Sequence, residues 1–136
     1  MKVNEIMNRS VITCHPHETL SAIVNKMKLF NISGMPVAEK KRLVGMITLK
    51  DIYGYLPPPE EMCNEDAAVL KSKLSTPVGE IMKREVRTVM PATPVDEAAK
   101  IMVMNRINRL PVMDRGKIVG IVTRWDIIQA LAEAEM

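Results

Sequence analysis

The sequence predicts a mixed α/β (α+β) fold built from two copies of one β-α-β-β-α unit. Sliding the chain along itself aligns Val3–Leu56 with Val78–Leu131 without a gap, so the unit is duplicated. In each copy, apolar residues recur at three- and four-residue steps in one segment and then form short strand-like runs. A copy this short is marginally stable alone, and we therefore expect the two copies to pack through their sheets with pseudo-twofold symmetry.

The aligned copies share identical residues from end to end, which indicates a true repeat. We expect repeat 1 at residues 1–56, a linker at residues 57–77 and repeat 2 at residues 78–136, together forming one compact module. Identical pairs include Ile6/Ile81, Met7/Met82, Pro36/Pro111, Val37/Val112, Gly45/Gly120, Thr48/Thr123 and Asp51/Asp126.

Each copy is predicted to begin with a short helical turn and a brief strand. A proline ends the strand, because proline cannot donate a hydrogen bond to a ladder. In the first and second copies respectively, the turns contain Ile6-Met7 and Ile81-Met82, the strands are Val11–Thr13 and Val86–Val89, and the prolines are Pro16 and Pro91.

A helix is predicted to follow each of these strands. In the second copy Thr93 stands at the N-cap, Pro94 at the first helical position and Asp96 three residues after the cap. Spacing of apolar residues predicts that one face of each helix is buried. These residues are Leu20, Ile23, Val24 and Met27 in the first copy and Val95, Ala98, Ala99, Met102 and Val103 in the second.

Two strands and a closing helix complete each copy. The strands are predicted at Met35–Ala38, Leu43–Ile47, Leu110–Met113 and Ile118–Val122, with a tight hairpin turn at Asp114–Lys117, and the helices at Leu49–Leu56 and Arg124–Leu131. In the linker, Pro57–Pro59 ends the first closing helix. Glu60–Leu74 is a predicted helix that is either a surface tether or an element that packs on the module or on a partner.

Composition and charge narrow the class of protein. Of the 136 residues, 47% are hydrophobic and 26% charged, which is typical of a globular chain. A net charge of +3 suits an anionic ligand, but it is too weak to indicate nucleic acid, and the four aromatic residues disfavour a base-stacking platform. No apolar run approaches the roughly 20 residues of a membrane span. The first five residues lack the pattern of a secretion signal, so we expect a cytoplasmic protein.

The ordered set of motifs in each repeat resembles the CBS (cystathionine-β-synthase) domain, so the chain resembles a tandem pair of these domains. Gly45–Asp51 and Gly120–Asp126 share the pattern Gly-apolar-apolar-Thr-x-x-Asp, and each follows a Pro-Val pair at the same distance. This resemblance covers both repeats. It implies two domains paired through their sheets, clefts that hold AMP, ADP, ATP or S-adenosylmethionine, regulation of an attached or partner protein, and a homodimer.

The Thr-x-x-Asp pairs have two interpretations. As local structure, Thr48 with Asp51 and Thr123 with Asp126 would cap the closing helices. As a ligand site, each Asp carboxylate would accept hydrogen bonds from both ribose hydroxyls, and each Thr hydroxyl would bind the sugar or phosphate. The resemblance favours ligand binding in at least one cleft.

Basic residues near these motifs are candidates for phosphate binding. Arg109 precedes the second Pro-Val pair, and Arg124 and Lys50 lie inside the two Thr-x-x-Asp motifs. An arginine offers a planar fork that fits phosphate. Because family clefts can draw on both repeats, these residues remain unassigned to one cleft or the other.

The resemblance also implies an apolar adenine pocket in which backbone groups read the base edge. Ile32 and Ile107 are equally well explained as core residues, and Arg87 departs from the apolar Ile12 at the aligned position. The candidates are Ile12, Thr13, Ile32, Met35, Pro36, Arg87, Thr88, Ile107, Leu110 and Pro111.

No catalytic or metal site is expected. Cys14-His15-Pro16-His17 has too few potential ligands in sequence for zinc, and its counterpart in repeat 2 is Val89-Met90-Pro91-Ala92. The sequence therefore predicts a non-catalytic regulatory module that needs no cofactor, binds an adenosine-containing ligand and signals to an unidentified effector protein. The alternative is a structural or dimerisation module with empty clefts. Nucleic-acid and membrane partners are not expected.

Overall fold

Each sequence repeat folds into an antiparallel two-stranded hairpin that lies between two helices in the chain, as a computed structural model shows for residues 1–63 and 66–134. The predicted fold class is confirmed. Repeat 1 consists of α1 (Leu20–Phe30), β1 (Gly34–Glu39), β2 (Arg42–Thr48) and α2 (Leu49–Tyr55), and the linker forms α3 (Pro59–Met62) and α4 (Ala67–Leu74). Repeat 2 consists of α5 (Val95–Asn105), β3 (Arg109–Asp114), β4 (Lys117–Thr123) and α6 (Arg124–Ala134).

The chain divides into two compact units. The first-repeat unit is Ile12–Val86, and the second-repeat unit combines Met1–Val11 with the described residues from Arg87 onward. In the second-repeat unit, the Val3 amide donates to the Thr93 carbonyl at 2.8 Å. In the first-repeat unit, the equivalent Val78 amide donates to the Glu18 carbonyl, also at 2.8 Å. Each unit therefore includes the short 3-10 turn, Val3–Glu5 or Val78–Glu80, that comes from the start of the other sequence repeat.

The core of each unit is apolar and contains the predicted inner helix faces. Fully buried side chains include Leu20, Ile23, Met35, Val37, Ile47 and Val78 in the first-repeat unit and Val3, Ala98, Leu110, Val112 and Val122 in the second. Val24 and Val103 were predicted to be buried, but Val24 is 37% exposed and Val103 is 77% exposed. Successive helical residues turn by about 100°, so Val103 lies beyond the edge of the arc that Val95, Ala98 and Met102 bury.

The predicted first strands are reduced to single bridges: in repeat 1 none of Val11–Thr13 is bridged and the bridge falls on the next residue, and in repeat 2 only the last residue of Val86–Val89 is bridged. Only Cys14 and Val89 form bridges, which are parallel and reach Val37 and Val112. The Cys14 amide donates to the Pro36 carbonyl at 3.1 Å. The next parallel ladder bond would need an N–H on Pro36, which proline lacks, so the ladder stops there. Pro111 ends the second ladder in the same way.

The helix starts differ between the repeats. Thr19 caps α1, because its side chain accepts from the Ala22 amide at 3.2 Å. The predicted N-cap role of Thr93 is wrong: Pro94 occupies the N-cap of α5, and the Thr93 hydroxyl accepts from the Met90 amide at 2.9 Å. Pro94 is the residue aligned with Thr19, so Thr93 lies one position too early to cap the helix.

The remaining elements lie close to their predicted places. All four hairpin strands run one or more residues beyond the predicted bounds, α2 ends at Tyr55, and α6 continues to Ala134. The turn between β3 and β4 is tight, since Arg115 and Gly116 both have positive φ. The linker forms two helices rather than one, although Asn64 and Glu65 lie outside the described residues. Leu74 of α4 packs against the first-repeat core, which favours the packed alternative for this segment.

No helix within residues 1–63 and 66–134 combines the length and the apolar composition that crossing a bilayer requires.

Candidate functional site

Both Thr-x-x-Asp motifs form helix caps. In the first-repeat unit, the Thr48 amide and hydroxyl each donate to Asp51 Oδ2 at 2.9 Å, and the Asp51 amide donates to Thr48 Oγ1 at 3.3 Å. In the second-repeat unit, the Thr123 amide donates to Asp126 Oδ2 at 2.8 Å, and the Asp126 amide donates to Thr123 Oγ1 at 3.2 Å. These bonds satisfy amides that a helix start otherwise leaves unpaired.

Capping does not use the whole carboxylate. In both motifs the cap engages Oδ2 and leaves Oδ1 outside its hydrogen bonds, although Oδ1 of Asp51 lies 3.5 Å from Lys83 Nζ. A ribose diol needs such an acceptor. The two interpretations of these motifs are therefore compatible, because the cap fixes the orientation of a carboxylate that can still receive a ligand.

The glycine of each motif allows a neighbouring segment to approach closely. A Cβ on Gly45 would lie 2.5 Å from Met82 Sδ and 2.8 Å from the Lys83 carbonyl oxygen, and a Cβ on Gly120 would lie 2.6 Å from Met7 Sδ. Each glycine precedes a two-way backbone bridge, Met46 with Lys83 in one unit and Ile121 with Asn8 in the other. The motif therefore places Lys83 and Asn8 beside the strand that ends in the capping threonine.

The three basic candidates occupy different surroundings. Arg109 begins β3 and pairs directly with Thr123 across the hairpin, so it lies beside the second motif. Arg124 is exposed. Both Arg124 and Ile107 line a groove of about 480 Å³ between α5 and α6. Lys50 is exposed on the first turn of α2, next to Asp51 in sequence.

The candidates for the adenine pocket divide by burial. Met35, Pro36, Leu110 and Pro111 are buried in the two cores. Ile12, Ile32 and Ile107 are partly buried and pack against those cores, while Arg87 and Thr88 are exposed. Thr13 is half-buried, and its carbonyl oxygen accepts from Lys26 Nζ at 3.0 Å.

Two lysines that sequence reasoning missed contact these candidates. Lys26 Nζ reaches the Thr13 carbonyl and is held by Glu18 Oε1 at 2.9 Å. Lys83 Nζ lies 3.5 Å from Asp51 Oδ1. A comparison of aligned positions in the two repeats could have identified both lysines, because Lys26 aligns with Ile101 and Lys83 with Asn8.

The histidine-rich segment offers little for metal binding. Burial, followed by the charge of Glu18, raises the pKa of the Cys14 thiol to about 12, so it stays protonated at neutral pH. The rings of His15 and His17 lie 5.0 Å apart. Within the described part of the chain, no group of three His, Cys, Asp or Glu side chains is arranged to hold a metal ion. Cys63 is exposed, and both cysteines are free thiols.

A duplicated hairpin unit with a capped Gly-x-x-Thr-x-x-Asp motif in each copy defines a tandem CBS-domain protein. The sequence model of the CBS domain matches residues 3–58 and 78–133, and the chain belongs to this family. The resemblance stated from the motifs is confirmed.

Relatives share both sequence and fold with this chain. It is 32% identical to the protein MJ1426 of Methanocaldococcus jannaschii over 96% of this chain and 91% of the relative. The structure of MJ1225 from the same organism superimposes with a TM-score of 0.85 at 30% identity, covering 96% of this chain but 47% of that one. The CBS domain pair of MJ0100, solved with 5'-methylthioadenosine and S-adenosyl-L-methionine, gives a TM-score of 0.79 at 28% identity over 98% of both chains.

Proposed function

We propose that this chain is a non-catalytic regulatory module that binds an adenosine-containing ligand and signals to a partner protein. The observation that supports it is the pair of capped carboxylates, Asp51 and Asp126, each held by its cap through Oδ2. A carboxylate with an unused edge is the natural bidentate acceptor for a ribose diol.

The site and one relative support this ligand class. The MJ0100 domain pair binds 5'-methylthioadenosine and S-adenosyl-L-methionine. Arg109 lies next to Thr123, where its guanidinium suits a phosphate, and the net charge of +3 favours an anion. The basic residues support AMP, ADP or ATP as the proposed ligand, and the relative supports S-adenosylmethionine. Such a ligand can regulate a partner only by binding two states of the module with different affinity.

Isothermal titration calorimetry with AMP, ATP and S-adenosylmethionine tests this proposal on protein shown by absorbance to carry no nucleotide. We expect saturable binding of at least one compound, at one or two sites per chain. Asp126→Asn keeps a cap acceptor but removes the charge, and it is expected to weaken binding at least tenfold at the second-repeat site. A folded, ligand-free protein that binds none of the three compounds would contradict the proposal.

The alternative is a structural or dimerisation module with empty clefts, and a homodimer, which is expected under either function, has its own supporting observation. Val103, Met104, Trp125, Ile128 and Leu131 of α5 and α6 are between 48% and 82% exposed. Exposed apolar side chains in this number mark an interaction surface, and we propose a second copy of this chain as its occupant. Light scattering of the purified protein distinguishes the outcomes: a mass of twice 15.3 kDa supports a homodimer, and a mass of 15.3 kDa contradicts it.

A further inference from the structure

The two Asp sites differ in what already occupies them. In the first-repeat unit, Lys83 Nζ lies 3.5 Å from Asp51 Oδ1, the oxygen that the helix cap leaves unused. The Asp51 side chain is 10% exposed, whereas that of Lys83 is 62% exposed. The resident ammonium group therefore covers the acceptor edge that the proposed ribose would need.

The second-repeat unit has no such cation at the matching position. Asn8 aligns with Lys83, and the same two-way backbone bridge holds each residue beside its strand. The Asn8 side-chain oxygen accepts from the Ser10 amide at 2.9 Å, so it is engaged locally.

A second difference between the two units also places a lysine on a proposed ligand acceptor of the first-repeat unit only. Lys26 Nζ donates to the Thr13 carbonyl at 3.0 Å, and Glu18 holds that ammonium group in place. Thr13 is a candidate for reading the adenine edge through its backbone. The residues aligned with Lys26 and Glu18 are Ile101 and Thr93, and an isoleucine has no hydrogen to donate to the Thr88 carbonyl.

We propose that Lys26 and Lys83 act as resident competitors in the first-repeat unit, so that the Asp126 site binds an adenosine compound more tightly than the Asp51 site. This inference rests on the proposed function. A ligand that enters the first-repeat site must displace two ammonium groups from its acceptors, whereas the second-repeat site carries neither lysine. Exposed ion pairs are weak, so Lys83 alone is expected to change affinity about two- to fivefold.

The test exchanges the aligned residues and uses a ligand without phosphate. 5'-Methylthioadenosine is suitable because a phosphate would be attracted by the same lysines and would mask the competition at the ribose. Asp126→Asn isolates the first-repeat site, and Asp51→Asn isolates the second. Calorimetry then measures the effect of Lys83→Asn in the first background and of Asn8→Lys in the second.

We expect Asp51→Asn to retain the tighter site and Asp126→Asn to remove it. Lys83→Asn is expected to strengthen binding two- to fivefold, Asn8→Lys to weaken it by a similar factor, and Lys26→Ile to add to the effect of Lys83→Asn. Lys41→Asn is the matched control, because it removes one positive charge from the exposed hairpin turn, at the end of β2 opposite to the Thr48 cap.

Three results would overturn the proposal: a tighter site that is lost with Asp51→Asn, no gain from Lys83→Asn in a protein that circular dichroism shows to be folded, or an equal gain from Lys41→Asn. Failure of the proposed function gives a different result, since the wild-type protein would then bind no adenosine compound at either site.

Discussion

Replacing Gly45 with alanine is expected to lower the free energy of unfolding by about 1–2 kcal/mol. The added Cβ would lie 2.5 Å from Met82 Sδ and 2.8 Å from the Lys83 carbonyl oxygen. The Met82 side chain can rotate away, but the carbonyl belongs to a backbone bridge with Met46 and cannot move alone. Overpacking of this kind costs about 1–3 kcal/mol, and alanine recovers about 0.4–1 kcal/mol by restricting the unfolded chain.

Gly120→Ala provides a graded comparison, and Gly54→Ala provides the control. At Gly120 the two closest atoms belong to the Met7 side chain, and the nearest backbone atom, the Asn8 oxygen, is 3.2 Å away, so the cost is expected to be smaller. Gly54 lies in α2 with no atom within 4 Å of its added Cβ, so alanine there is expected to stabilise by about 0.5–1 kcal/mol.

Thermal and urea unfolding measure these differences. At this chain length 1 kcal/mol corresponds to about 3–4 °C in Tm, so Gly45→Ala is expected to lower Tm by about 3–8 °C. The expected order of stability is Gly54→Ala, wild type, Gly120→Ala and Gly45→Ala. A Gly45→Ala protein as stable as the wild type would refute the reasoning that close approach of the Met82-Lys83 segment requires glycine.

Four further predictions concern other parts of the chain. A disulfide reagent at pH 8 should label Cys63 quickly and Cys14 only on unfolding, and two fast thiols would contradict the burial of Cys14. Because the pKa of the Cys14 thiol is raised from 9.0 to about 12 on folding, its contribution to stability is full below pH 9.0 and is lost as the pH rises towards about 12. The wild-type protein should therefore lose stability relative to Cys14→Ala over that pH range. Thr123→Val removes the acceptor for the Asp126 amide and should cost about 1 kcal/mol in urea unfolding, whereas an unchanged midpoint would show that the cap contributes nothing. Met104→Lys, on a side chain that is 82% exposed, should leave the fold intact and weaken the proposed dimer in light scattering, and an unchanged mass would place the interface elsewhere.

The fold class could be predicted because local patterns and their repetition both point to it. The periodicity of Leu20, Ile23 and Met27 predicted a buried helix face, and the turn signal at Asp114–Lys117 predicted a hairpin, and both are present. The short first strands could not be predicted from their own residues. They end because Pro36 and Pro111, more than twenty residues later in the chain, lack the N–H that the next ladder bond requires.

The candidate site was predictable only in part. The Thr-x-x-Asp motifs identified the capped carboxylates, since a cap is local and its spacing is fixed. The contact of Lys83 with Asp51 joins residues far apart in sequence, and it depends on the bridge that Gly45 permits. A motif search inspects each motif alone, whereas the difference between Lys83 and Asn8 becomes visible only when the repeats are compared position by position.

The exchange of leading segments has a consequence for how the chain can be divided. Met1–Val11 completes the second-repeat unit, and Val78–Val86 belongs to the first-repeat unit. A cut in the linker therefore yields two fragments, each of which carries the segment that the other fragment needs. Neither fragment should be stable alone, but a mixture of the two should reassemble through mutual strand and turn donation.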